Sequence, residues 1–314
     1  MTVSGWLQIG ALFLVVLLVT KPLGLYMARV FAGERTPLSP VLQPVEHAIY
    51  RVSGVDAEKE QSWVGYAVAV LTFLIAGVLT LYAIERLQRY LPFNPEHLPG
   101  MSPGLALNTS VSFNTNTNWQ NYVPETTVSY FTQMAGLAVH NFLSAATGIA
   151  LAIAVIRGFA RRKASAIGNF WVDLTRCTLY ILLPLCIVGA LVLVARGVPQ
   201  NLDGYTQVAT LQGGQQTVAQ GPVASQEIIK ELGTNGGGFF NANAAHPFEN
   251  PTPFTNFLEM AAMLAIGAGL TYTFGRMAGD TRQGWALLAV MSIIFLAGAG
   301  ITYRFEAGSN PALA

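Results

Sequence analysis

Charge is scarce in this sequence. Only 11% of its 314 residues are Asp, Glu, Lys or Arg, less than half the share usual for a soluble domain, ~25%. With a mean hydropathy of +0.45, that excludes an ordinary soluble protein. The formal net charge is +1, so no overall field recruits nucleic acid or an acidic substrate. Two cysteines, Cys177 and Cys186, cannot build a disulfide framework or a Cys-rich metal site. Along a helix they sit ~13.5 Å apart, too far to bridge. No GxxxxGK[ST] phosphate loop, DKTGT-like phosphorylation sequence or Ser/His/Asp constellation occurs, so the sequence offers no motif for those chemistries. No Lys or Arg precedes the first apolar run; that run is expected to be a span and not a cleaved signal. These absences leave a polytopic membrane protein.

What is present agrees. A spanning helix needs ~20 largely apolar residues. Six stretches have them: about Trp6 to Met27, Trp63 to Ile84, Tyr130 to Ile156, Trp171 to Ala195, Phe254 to Phe274 and Trp285 to Tyr303. The expected fold is all-α integral membrane, multi-pass, with about six transmembrane helices. Positive charge sets the direction. With the N-terminus outside, twelve of the seventeen Lys and Arg residues fall on the cytoplasmic side, including the run Arg157, Arg161, Arg162 and Lys163. Arg86, Arg89, Arg196, Lys230 and Arg304 fall outside, with Glu85 offsetting the first two. The expected orientation puts the N-terminus outside, with the basic run also touching anionic lipid.

Two long outer loops repeat a pattern. The first has Ser102-Pro103, then Thr115-Asn116-Thr117-Asn118-Trp119; the second has Gly221-Pro222, then Thr234-Asn235-Gly236-Gly237-Gly238. Proline and threonine are twelve residues apart in both, and the prolines are 119 apart. Pro favours the first helical position, and ten to twelve residues rise ~15–18 Å, half a bilayer. Each loop therefore reads as a re-entrant half-helix followed by irregular backbone, which is tolerated at membrane depth only where it lines water or is shielded by protein. The helix C-terminus points its negative end inward, and bare carbonyls beyond it can replace the hydration shell of a potassium ion. Gly236 and Gly237 permit φ > 0, and Asn116 and Asn118 tolerate it better than most residues; the asparagine side-chain oxygens can also ligate. The ligands expected for K+ are Thr115, Asn116, Thr117 and Asn118 with Thr234, Asn235, Gly236 and Gly237, supported by Gln120 and Gly238. The units are an extra span over 1–30, a span–pore–span repeat over 63–160, a second over 171–276, and a span opening an incomplete third over 284–314.

TNTNWQNY (Thr115 to Tyr122), NFLSAATGIA (Asn141 to Ala150), GPVASQEIIKELGTNGGGFFNANAAHPFENPT (Gly221 to Thr252) and DTRQGWALLAVMSIIF (Asp280 to Phe295) resemble the potassium-binding, channel-like A subunit of the bacterial potassium-transporting P-type ATPase, KdpA. The resemblance covers the whole chain. It implies the architecture of the superfamily of potassium transporters, four span–pore–span repeats around one pore. It also implies that ATP is used only through a partner, a P-type ATPase catalytic subunit, together with a C subunit and a small single-span subunit. That family carries four pore loops; two are present here, so the chain is expected to be an N-terminal portion of such a subunit. A Trk- or Ktr-like channel subunit is the alternative, and an intramembrane enzyme using His140 and His246 a more distant one.

Other residues carry blander expectations. Asp173 and Arg176, three apart, should pair on one helix face. Glu125 and Glu249 either focus cations at the mouth or are solvated loop acids. Trp119, Phe239 and Phe240 either cuff the loops or anchor at the interface. His246 reads as a hydrogen-bonding loop residue and His140 as structural.

Overall fold

The computed structural model describes residues 2–161 and 165–306. Arg162, Lys163 and the last residues of the 284–314 segment lie outside the described residues. Among the described residues six helices are long and apolar enough to cross a membrane. They are α1 (Val3–Ala32), α3 (Trp63–Leu87), α5 (Thr132–Ala160), α6 (Phe170–Ala195), α8 (Pro253–Met277) and α9 (Thr281–Glu306). Between them lie α2 (Ser39–Ser53) and two short helices, α4 (Pro103–Asn114) and α7 (Val223–Leu232). The protein is an all-α, multi-pass membrane protein of span–short helix–span units.

Local chemistry fixes the ends. The Thr2 hydroxyl accepts from Gly5 N at 3.2 Å to start α1, which stops at Gly33 in the left-handed region, φ 73°. Thr252 and Thr255 form a reciprocal capping box at the start of α8. In α6, Pro184 has no N–H to donate four residues back, and the helix widens to π geometry over Cys177–Leu182. The Tyr180 carbonyl freed in this way accepts from the Tyr26 hydroxyl of α1 at 2.8 Å.

Packing places α1 along α8. The contact is backbone to backbone. A Cβ on Gly24 would lie 2.5 Å from the Gly269 carbonyl, and Thr273 Oγ1 donates to Gly24 O at 3.0 Å. Small residues let helices approach this closely where lipid supplies no hydrophobic drive. The short helix α4 packs on α3 and α5, and α7 on α6, α8 and α5. The main core gathers Ala146, Ile153, Phe170, Ile181 and Val223 around α5, α6 and α7. Two elements have no counterpart in the sequence expectations: α2, and a hairpin pairing β1 (Thr206–Ala209) with β2 (Gln215–Val218), antiparallel with Thr206 opposite Val218. The first is amphipathic but too short and too polar to read as a span, and the second lies in a polar outer loop.

Two charge assignments are corrected. Asp173 does not pair with Arg176. It takes both terminal nitrogens of Arg157, at 2.5 and 2.8 Å, while Arg176 Nε binds Glu46 on α2 at 2.8 Å. The i,i+3 spacing is real, but each residue meets a partner on a different helix. Glu85 does not offset the outer arginines. It is fully buried and accepts from Ser110 Oγ at 3.2 Å.

Candidate functional site

The C-terminal ends of α4 and α7 lead into two irregular strands that meet. Each strand turns its N–H groups back onto its own helix. In the first, Thr115 N donates to Val111 O, and Thr117 N and Asn118 N both donate to Ser112 O at 3.0 and 3.1 Å. In the second, Thr234 N donates to Glu231 O at 3.2 Å and Asn235 N to Lys230 O at 3.0 Å. The turns need left-handed backbone, found at Asn116 (φ 62°), Asn118 (55°), Thr234 (51°), Gly236 (87°) and Gly237 (68°). Asn and Gly occupy four of these five, as their conformational tolerance requires.

Five donors of the two strands are thus committed to the short helices. Among the described residues no carbonyl of 115–118 or 234–237 accepts a hydrogen bond. Buried backbone carbonyls are normally paired, so those of Asn118 and Asn235, on buried residues, are the exceptions to explain. Corresponding positions share their setting. Thr115 and Thr234, and Thr117 and Gly236, are open; of the other two pairs, Asn116 with Asn235 and Asn118 with Gly237, one member of each is buried and the other half-buried. A cavity of about 540 Å³ adjoins the second strand, lined by Thr234 to Gly237 with Lys230, Glu231 and Met263.

Asparagine side chains tie the strands to each other. Asn235 Nδ2 donates to Asn116 Oδ1, its partner at the 119-residue offset, and lies 3.4 Å from Asn118 Oδ1 and 3.1 Å from Ser144 Oγ. Ser144 Oγ also donates to Asn116 Oδ1 at 2.8 Å. The side-chain oxygens considered as ligands in the sequence are therefore engaged in holding the two loops together. Gln120 clamps the outer end: its Oε1 accepts from Gly238 N at 3.0 Å and its Nε2 donates to Gly238 O at 3.3 Å.

The matched family model, "Potassium-transporting ATPase A subunit", covers residues 10–314. The chain belongs to that family. A protein of Methylobacterium nodulans named "Potassium-transporting ATPase potassium-binding subunit" is 60% identical over all of this chain and 55% of its own length. Proteins of the same name from Mesorhizobium japonicum and Bradyrhizobium diazoefficiens are 59% and 58% identical, each over 99% of this chain and 55% of theirs. The chain spans about half the length of these curated relatives.

Membership in the family leaves several residues to be placed by geometry. Glu249 is neither a mouth charge nor a solvated acid: it is fully buried, 2.9 Å from Lys230 Nζ. Lys230, counted among the outer charges, is buried with it. Glu125 is engaged too, its Oε2 accepting from Asn241 N at 2.9 Å. Phe239 and Phe240 are core residues, while Trp119 is exposed. His246 stacks on Phe240 with ring centroids 3.7 Å apart and accepts from Phe248 N through Nδ1. His140 lies 2.7 Å from Gly136 O and 3.1 Å from Gly77 O. The sequence reading missed Ser112, Ser144 and the role of Lys230. The available signal was polarity inside an apolar span, which by default marks function or a buried partner.

Proposed function

We propose that this chain is the potassium-binding, channel-like part of an ATP-driven potassium uptake complex, selecting K+ from the periplasmic side of a bacterial inner membrane. The observation that carries the reading is the set of carbonyls at 115–118 and 234–237, none of which accepts a hydrogen bond among the described residues, while the N–H groups of Thr115, Thr117, Asn118, Thr234 and Asn235 bind back to α4 and α7. A dehydrated alkali cation is the partner such oxygens suit. The C-terminal ends of both helices add partial negative charge at the same point. Thr115, Asn116, Thr117, Asn118, Thr234, Asn235, Gly236 and Gly237 strip water from the ion, while Gln120 and Gly238 hold the outer rim. Sodium is rejected by the width and field strength of the cage.

The units over 63–160 and 171–276 are two of the four walls of the pore, related by duplication, and 284–314 begins a third. The remaining walls are assigned to the part of the relatives' length that this chain does not span. The N-terminus is periplasmic. ATP hydrolysis belongs to a P-type ATPase catalytic subunit, joined by a C subunit and a small single-span subunit. The names of the relatives favour coupling to an ATPase over a Trk- or Ktr-like channel.

The test uses the full-length subunit purified with its partners. ATP hydrolysis should rise with micromolar potassium and ignore the same concentration of sodium. Hydrolysis indifferent to potassium, or an assembly containing no ATPase, would count against the reading.

A further inference from the structure

The stretch Gly236-Gly237-Gly238 has no side chains with which to hold its own shape. Its two feet nevertheless rest on one residue. On the near side, the Lys230 carbonyl accepts from Asn235 N at 3.0 Å. On the far side, Lys230 Nζ binds Glu249 Oε2 at 2.9 Å, and Glu249 Oε1 accepts from Phe239 N at 2.9 Å and Phe240 N at 3.1 Å. Lys230 and Glu249 are both at least 98% buried, and Nζ has a second carboxylate, Glu227, at 2.6 Å. Nothing larger than glycine fits over the brace: a Cβ on Gly238 would lie 2.8 Å from Glu249 Oε1 and 2.9 Å from Lys230 Nζ.

The first strand is built on the same plan with different chemistry. There Ser112 alone carries both feet. Its carbonyl takes Thr117 N and Asn118 N, and its hydroxyl accepts from Trp119 N at 2.6 Å. At the 119-residue offset, Lys230 corresponds to Val111 and Glu249 to Tyr130. The charged brace therefore belongs to the second loop only, where three consecutive glycines leave the backbone slackest.

We infer that Lys230 and Glu249 are positioning residues that set the span of the second carbonyl strand and hence its preference among alkali cations. The inference rests on the potassium reading above. A buried lysine held by two carboxylates, Glu249 and Glu227, fixes the far foot of the strand, and removing the Glu249 charge weakens that hold. A looser strand accommodates a larger ion without a matching gain for K+, so the effect falls on discrimination.

The experiment compares wild type with Glu249→Gln in the full-length subunit within its complex. Glu249→Gln keeps an acceptor for the two N–H groups and nearly the same volume but deletes one of the two charges that hold Lys230, the one tied to the strand. Half-maximal stimulation of ATP hydrolysis is measured for potassium and for rubidium. The ratio of the rubidium value to the potassium value should fall at least about fivefold, with the maximal rate at saturating potassium within about twofold of wild type. Should that variant fail to assemble, Glu249→Asp, which keeps the charge but ends one methylene short, carries the same measurement and the same expectation. An unaltered ratio, including the case where only the yield of complex drops, overturns the brace. A wild-type complex indifferent to potassium overturns the potassium reading instead.

Discussion

Gly236 and Gly237 sit side by side with positive φ, yet their surroundings differ, and that difference yields a discriminating pair of substitutions. Gly236→Ala meets nothing within 4 Å. Its cost is the left-handed backbone alone, about 1–2 kcal/mol for a residue with a Cβ. Gly237→Ala carries the same term, and its Cβ lies 2.9 Å from the Asn118 carbonyl and 3.1 Å from Gln120 Oε1. The first of these neighbours is backbone and one of the proposed ligands, so relief requires moving the opposite strand, a further ~1–3 kcal/mol. With 1.4 kcal/mol equal to a factor of ten, Gly236→Ala should raise half-saturating potassium roughly tenfold and Gly237→Ala about a hundredfold or more. The assay is potassium-stimulated ATP hydrolysis by the full-length subunit in its complex, with folding checked by the amount of intact complex recovered. If Gly236→Ala proved as damaging as Gly237→Ala, or worse, the two strands would not be in the contact described.

Three further outcomes are expected. Asp173→Asn leaves Arg157 buried without its bidentate partner and should cost about 3–5 kcal/mol in unfolding free energy, whereas replacing both residues with apolar ones should recover most of it in a double-mutant cycle. Ser144→Ala removes the donor to Asn116 Oδ1 and an acceptor near Asn235 Nδ2; apparent potassium affinity should weaken by about 1 kcal/mol, read from the same titration, with the thermal midpoint little changed. The third concerns pH. Burial pushes the Glu46 carboxyl up, but hydrogen bonds from Tyr180, Arg176 and Tyr50 outweigh it and hold Glu46 below the ordinary glutamate value of 4.5. A carboxylate more acidic in the folded state stabilises above that ordinary value and loses its contribution as pH falls through the folded one. Glu46→Gln should therefore lower the melting temperature at neutral pH and flatten its decline below about pH 4.5; a wild-type slope there would remove Glu46 from the account.

The spans were legible because a bilayer demands a length and a composition that no other environment demands, and all six stretches return as helices. The short helices were legible for a similar reason: Pro103 and Pro222 mark their starts, and Asn116, Asn118, Gly236 and Gly237 mark most of the left-handed backbone that follows them, Thr234 being the exception. Partner choice was less accessible. Spacing along one helix suggested Asp173 with Arg176, and assembly gave Asp173 to Arg157 and Arg176 to Glu46. Glu249 lay in a polar loop and looked wet until the fold closed Lys230 over it.

By itself, then, the sequence determined the solvent this protein inhabits, the number of its crossings and the two places where the chain turns back, because those depend on local composition and on the conformational limits of single residues. Only the tertiary structure decided that Asn116 and Asn235, 119 residues apart, hold hands across the site, and that its carbonyls are left bare. Which hydrogen bonds a backbone makes, and which it leaves unmade, depends on groups brought together from distant parts of the chain.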